Sequence, residues 1–150
     1  MENLELLVNK YLNRKPDYII HLGDIDSPFM IPILGKLNVE GLLIKGNNDG
    51  DTDYLGVKCF ENNIKFVCPP YHLDLEGKKF LLTHKPLDEK KFVKKGIDYY
   101  LFGHTHIPII ERGENDILRI NPGTLGGHLT GKCTYAILDT ELNSAKIYNL

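Results

Sequence analysis

The sequence predicts an α/β protein with two packed sheets and helices outside them. Three observations carry this reading. The first fifty residues alternate helix-period segments with short apolar runs, a pattern that implies parallel strand pairing. The remainder is rich in short strands separated by turns of Gly, Asn and Asp. Four apolar runs also end on a sharp stop that carries a ligand-type side chain, and open α/β sheets place their chemistry at such strand ends.

Residues 3–13 form the first expected helix, because Leu4, Leu7, Val8, Tyr11 and Leu12 recur at helical spacing and Pro16 stops the pattern. Tyr18-Ile19-Ile20-His21-Leu22 reads as a short buried strand closed by Gly23-Asp24. Ser27-Pro28 signals a second helix with Met30, Ile33, Leu34 and Leu37 on one face, and Pro32 moves its start up to a turn later. Leu42-Leu43-Ile44 is the next strand, followed by Gly46-Asn47-Asn48-Asp49-Gly50. Residues 57–60 and 64–67 read as short strands around Asn62-Asn63. Residues 71–75 and 79–83 flank Glu76-Gly77-Lys78 as a hairpin. A thin apolar face predicts a helix over 86–95.

The run Tyr99-Tyr100-Leu101-Phe102 is a buried strand that Gly103 ends, and His104-Thr105-His106 follows at its mouth. On an extended backbone alternate residues share a face, so both imidazoles are expected to reach one site. Residues 107–111 and 117–120 flank a Gly113-Glu114-Asn115-Asp116 turn, and residues 134–138 and 145–148 flank another.

At 150 residues the chain is expected to be a single domain, 1–150, with a core of its own. Lys and Arg total 18 against 20 Asp and Glu, a net charge of -2, which argues against general nucleic-acid or membrane-surface binding. Cys59, Cys68 and Cys133 form no CxxC pair and read as reduced thiols of a cytoplasmic protein.

Gly23-Asp24, Gly46-Asn47, Thr83-His84 and Gly103-His104-Thr105-His106 together offer carboxylate, amide oxygen and imidazoles. Singly, each has an ordinary reading as a cap, a turn or a strand-end histidine. Jointly, a mixed nitrogen and oxygen set suits a divalent transition metal.

These motifs, in this order and over nearly the whole chain, resemble the calcineurin-like metallophosphoesterases. Asn121-Pro122-Gly123-Thr124 resembles the Asn-Pro-Gly-Ser loop of the YfcE-type phosphodiesterase branch, to which the retromer scaffold subunit is related. The resemblance implies a four-layer α-β-β-α sandwich of two mixed sheets flanked by helices, with two metals at the strand ends. It implies that Asp24 bridges both metals, that Asn47, His84 and His104 complete the second site, and that His106 belongs to the first. Asp24, Asn47 and His84 are the residues expected to carry catalysis. The cofactors implied are Mn, Ni, Fe or Zn, one or two per chain, with hydroxide generated at the metal as nucleophile.

Three departures from the family pattern stand out. No Asp-x-His occurs, so the first strand of the family fold and two ligands of the first metal are expected to lie upstream of Met1. Asn48 stands where many members carry His, and a neutral amide is no general acid. Lys85 follows His84 where the branch usually has Gly. The leading expectation is a metal-dependent phosphodiesterase hydrolysing small phosphodiesters. The alternative is a binding or scaffold protein of this fold with impaired catalysis, and a phosphomonoesterase is third. The expected partner is a small phosphodiester substrate, with no nucleic acid and no membrane. Self-association into a homo-oligomer is left open.

Overall fold

The computed structural model describes residues 1–88, 90, 92 and 96–150. The chain divides into two compact units, Met1–Cys68 and Pro69–Leu150. Among the described residues no helix is long and apolar enough to cross a membrane.

The first unit opens with α1, Glu2–Tyr11, which buries Leu4 and Val8 at i and i+4. Strand β1, Tyr18–His21, follows. Ser27 then caps a single 3-10 turn over Pro28–Met30, its hydroxyl accepting from the Phe29 N–H at 3.3 Å. Helix α2, Ile31–Gly35, begins with Pro32 in its first turn, where a missing N–H costs nothing. Strand β2 is Glu40–Ile44, helix α3 is Thr52–Glu61 and strand β3 is Ile64–Val67. The three strands form an all-parallel sheet in the order β1-β2-β3. Its middle strand is buried from Gly41 to Ile44, the continuous apolar run that a parallel strand covered on both faces requires.

Residues 57–60 are helical, which corrects the strand expected there. Asp51 caps the helix by accepting from the Tyr54 N–H at 3.3 Å. Leu55 and Cys59 are buried one turn apart, whereas Val57 and Phe60 are 51% and 86% exposed. The β-branched and aromatic side chains that suggested a strand point to solvent. Helical burial of Leu55 and Cys59 overrides local strand propensity.

The second unit holds a five-stranded sheet in the order β4-β5-β6-β8-β7. These strands are β4 Tyr71–Leu75, β5 Lys78–Thr83, β6 Tyr99–Phe102, β7 Ile109–Arg112 and β8 Leu118–Asn121. Strands β5, β6 and β8 run parallel, and β4 and β7 are antiparallel edges. The expected hairpin is present, turning on Glu76 and Gly77 at φ of 53° and 75°. Such angles at both turn residues suit a two-residue hairpin loop. Strands β9, Thr134–Asp139, and β10, Ser144–Asn149, pair separately as an antiparallel ribbon. Among the described residues the strands therefore fall into three hydrogen-bonded groups, and the β1-β2-β3 group is parallel rather than mixed. The helix expected over 86–95 falls on a stretch that includes 89, 91 and 93–95, which lie outside the described residues.

All four residues of β6 are buried. Tyr100 and Phe102 stack at 5.1 Å on one face and join Leu81, Phe92, Ile97 and Ile117 in a core cluster. Tyr99 packs on Phe80 at 4.8 Å. The Tyr100 hydroxyl bonds the Thr83 hydroxyl at 3.1 Å and accepts from the Leu87 N–H at 2.6 Å. Burial of Tyr100 raises its phenol above the ordinary range, so it stays neutral and able to donate.

Two measurements check this packing. Leu55→Ala should lower stability by about 2–5 kcal/mol, and Phe60→Ala should leave it within about 0.5 kcal/mol, read from urea midpoints. A strand over 57–60 would not give that contrast.

Cys59 is fully buried, and burial first, then the negative charge of Asp49, pushes its thiol up to about 11. The neutral thiol is favoured in the folded state. Its contribution is therefore intact below the ordinary thiol pKa of about 8.5 and is lost as pH rises through 11. In a thiol-reagent titration at pH 8 the exposed Cys68 and the half-buried Cys133 should react in the native protein, and Cys59 only after unfolding.

Candidate metal centre

In the first unit, His21 on β1 lies opposite Leu43 on β2 in a parallel register. The two strands therefore end at one edge, and their exits carry Gly23-Asp24 and Gly46-Asn47. The two exits are tied together by Asp49. Asp49 is 7% exposed, and its carboxylate accepts four backbone N–H groups: Asp24 at 2.9 Å, Ile25 at 2.8 Å, Asp26 at 3.3 Å and Gly46 at 2.7 Å. Charge-assisted bonds of this kind are roughly twice as strong as neutral ones.

The loop so held is strained. Asp24 and Asp26 have φ of 56° and 67°, a region that costs a non-glycine residue about 1–3 kcal/mol. Gly46 is obligatory, because a Cβ there would collide with the Asp24 carboxylate and backbone nitrogen. Asn48 then sets the Asp24 side chain. Its backbone N–H donates to Oδ1 at 2.8 Å, and its amide Nδ2 donates to Oδ2 at 3.0 Å. Asp24 is half-buried, and Asn47 is exposed at the start of the same loop.

In the second unit, three adjacent parallel strands deliver their C-terminal residues to one edge. Thr83 lies opposite Phe102, so His84 and Gly103 leave β5 and β6 at one level, and the Gly103 N–H continues the ladder to the His84 carbonyl at 3.0 Å. The result is an imidazole pair. His104 Nδ1 lies 3.2 Å from His84 Nε2, with the rings edge to face at 5.0 Å. His84 is buried and His104 exposed.

Asn121, at the end of β8, braces this edge from a fully buried position. Its amide donates to the Gly103 carbonyl at 3.0 Å and the Thr105 hydroxyl at 2.9 Å, and its oxygen accepts from the Gly123 N–H at 2.9 Å.

The extended backbone expected over His104-Thr105-His106 is not what forms. His104 and His106 have φ of 65° and 59°, and the Thr105 N–H folds back to the Gly103 carbonyl at 2.8 Å. Asn121 holds that tight turn, which the alternation rule for strands could not foresee. His104 meets His84, while half-buried His106 lines a cavity with Ile107, Pro108 and residues of the loop before β9.

In the sequence Asp49 reads as part of a turn, and Asn121 as part of a loop motif. A carboxylate inside an otherwise neutral Gly-Asn-Asn-Asp-Gly run was the available signal for Asp49. Its burial comes from contacts 23–25 residues away.

The donor set fits a divalent metal. Two nitrogens bound to one ion at about 2.0–2.1 Å lie roughly 3.0–3.4 Å apart, depending on coordination geometry. The His84–His104 separation of 3.2 Å falls within that range.

The sequence profile of the calcineurin-like phosphoesterase superfamily domain matches residues 1–143. The chain belongs to that family. It is thereby a phosphoesterase-class hydrolase of a family that uses divalent metals. It is similar to phosphodiesterase MJ0936 of Methanocaldococcus jannaschii, at 31% identity over 145 residues, covering 94% of this chain and 87% of that one. A solved structure of an archaeal phosphodiesterase superposes with a TM-score of 0.88 at 30% identity, covering 99% of this chain and 92% of the other. A single-residue variant of Vps29 from Entamoeba histolytica matches at 14% identity with a TM-score of 0.69, over 97% and 88% of the two chains. That second likeness shows the fold, and the chain has the metallophosphoesterase fold.

Asp49→Ala leaves four N–H groups without their acceptor, at about 1–3 kcal/mol for each one buried. It should lower stability by about 3 kcal/mol or more in denaturant unfolding. Asn48→Ala, which removes one exposed side-chain bond, should cost no more than about 1 kcal/mol.

Proposed function

We propose that this chain is a metal-dependent phosphodiesterase acting on small phosphodiesters. The observation that carries the reading is the His84–His104 nitrogen pair, spaced for a common ion, in a chain of the phosphoesterase family. The likeness to a phosphodiesterase at 31% identity over most of both chains supports the diester substrate class.

The residues proposed to hold divalent ions are those of the sequence reading. Asp24, Asn47, His84 and His104 hold one ion, and Asp24 and His106 contribute to a second. Bound ions of this kind polarise a phosphoryl oxygen and lower the pKa of a water. The chain's own residues do the rest. Asn48 holds both oxygens of Asp24 and so orients its carboxylate. Asn47 and the imidazoles are uncharged ligands, which leaves positive charge for an anionic substrate.

Asn48 has no proton to give a leaving group at neutral pH, so the substrate reading favours diesters whose leaving group departs as an anion. Lys85, exposed beside His84, reads first as a solvated charge, the alternative being contact with substrate phosphate. A second reading, a binding or scaffold protein of this fold, is favoured by one observation: Asn48 occupies Asp24 from the position where a proton donor would sit.

Titration calorimetry with Mn or Zn should show a tight site that His104→Ala or His84→Ala abolishes. Because the ligand nitrogens must be unprotonated, affinity should fall on acidification. Unchanged binding in both variants would overturn the ligand assignment.

A bis-aryl phosphate should be hydrolysed faster than a mono-aryl phosphate with Mn or Ni added, and neither with chelator. Asp24→Asn should lower kcat/KM by more than about 100-fold, beyond what loss of an outer-shell partner costs. Lys85→Ala should cost about fivefold at most, as for an exposed charge. Metal binding without turnover of either ester would favour the scaffold reading.

A further inference from the structure

A cavity of about 250 Å³ lies beside His106, lined also by Ile107, Pro108, Thr130, Lys132 and Thr134. Two segments of the second unit build it. One is the exit from the histidine turn, and the other is the end of the loop between β8 and β9.

Both segments are anchored. Asn121 holds the turn through Gly103 and Thr105. The Thr134 hydroxyl donates to the Pro122 carbonyl at 2.8 Å and accepts from the Thr124 N–H at 3.3 Å, while the Thr134 N–H donates to the Thr124 carbonyl at 2.7 Å. The Thr130 hydroxyl donates to the Lys132 carbonyl at 2.9 Å and accepts from the Lys132 N–H at 3.2 Å, which fixes the turn that presents Lys132. Both threonine hydroxyls are thus committed to backbone.

What the cavity offers a ligand is the apolar wall of Ile107 and Pro108, with His106 and the exposed residue Lys132 also in its lining. Ile107 is 59% exposed, so covering it with an apolar group is favourable. The volume is below the roughly 300 Å³ of a drug-sized ligand site, and it suits one ring-sized group.

We propose that this cavity is a substrate pocket that takes one aromatic ester group of the phosphodiester against Ile107 and Pro108, while Lys132 meets the phosphoryl charge. The assignment rests on the phosphodiesterase reading and deepens it by naming the substrate class, aryl or heteroaryl phosphodiesters. His106 and Ile107 continue the turn that carries His104, so the pocket follows the proposed metal-ligating turn directly in the chain.

The test is binding rather than turnover. Calorimetry of the Zn-loaded protein uses phenyl phosphate, methyl phosphate and inorganic phosphate as probes. Phenyl phosphate should bind about tenfold more tightly than methyl phosphate, the yield of covering roughly 55 Å² of ring surface. Ile107→Ser should reduce that preference to less than about threefold, with inorganic phosphate unaffected, since the side chain removed is apolar. Lys132→Ala should weaken all three probes by a similar factor and keep the preference.

A phenyl-to-methyl ratio near one in the wild type, or one unchanged in Ile107→Ser, overturns the pocket even if diesters are hydrolysed. A preference that Ile107→Ser removes, in a protein that hydrolyses no diester, sustains the pocket and overturns the enzyme reading alone.

Discussion

The Asp49 carboxylate is the constraint on which the shape of the first unit's two strand exits depends. A buried charge is costly unless it is fully bonded, and Asp49 meets this condition with four backbone N–H groups drawn from two strand exits. Those bonds hold Asp24 and Asp26 in left-handed backbone that neither would choose alone. They also bring the Gly46 backbone so close to Asp24 that no side chain fits between them. Asp24 is thus presented by a loop whose shape is set before any ligand arrives. Such preorganisation is what a metal site needs if its ligands are not to be ordered at the moment of binding.

The second unit reaches the same end by strand register. Three parallel neighbours, β5, β6 and β8, finish at one edge; His84 and Gly103 follow β5 and β6, and Asn121 is the last residue of β8. Parallel pairing spaces the strands about 4.8 Å apart, so imidazoles that follow adjacent strands approach each other as a consequence of the ladder. The apolar stack of Tyr100 and Phe102 anchors β6 beneath them. Asn121 then uses its amide to hold the turn after Gly103, and so decides that His104 turns toward His84.

The chemistry follows from what these supports leave over. Asp49 and Asn121 hold backbone, while His84, His104 and Asp24 follow the strand ends and bond other side chains: His84 to His104, and Asp24 to Asn48. Asn48 is the departure with chemical weight. As an amide it strengthens the placement of Asp24, and as an amide it has no acid function. On the function proposed above, the missing acid favours esters whose leaving group departs without help.

The sequence by itself determined the first helix, the strands other than the one expected at 57–60, the parallel character of its first third, the hairpins and the motifs of the family, because periodicity, Gly and Asn stops and strand-end donors are local signals. It misread residues 57–60, where the burial of Leu55 and Cys59 chose helix over the strand propensity of their neighbours. It also misread the backbone of His104-Thr105-His106, because the amide that folds the turn comes from Asn121, fifteen or more residues away. Only the tertiary structure decided which polar residues are supports and which present donors. A carboxylate in a turn and a carboxylate beneath a loop look alike in sequence. Burial and four N–H donors, three of them from residues 23–25 positions away, separate them.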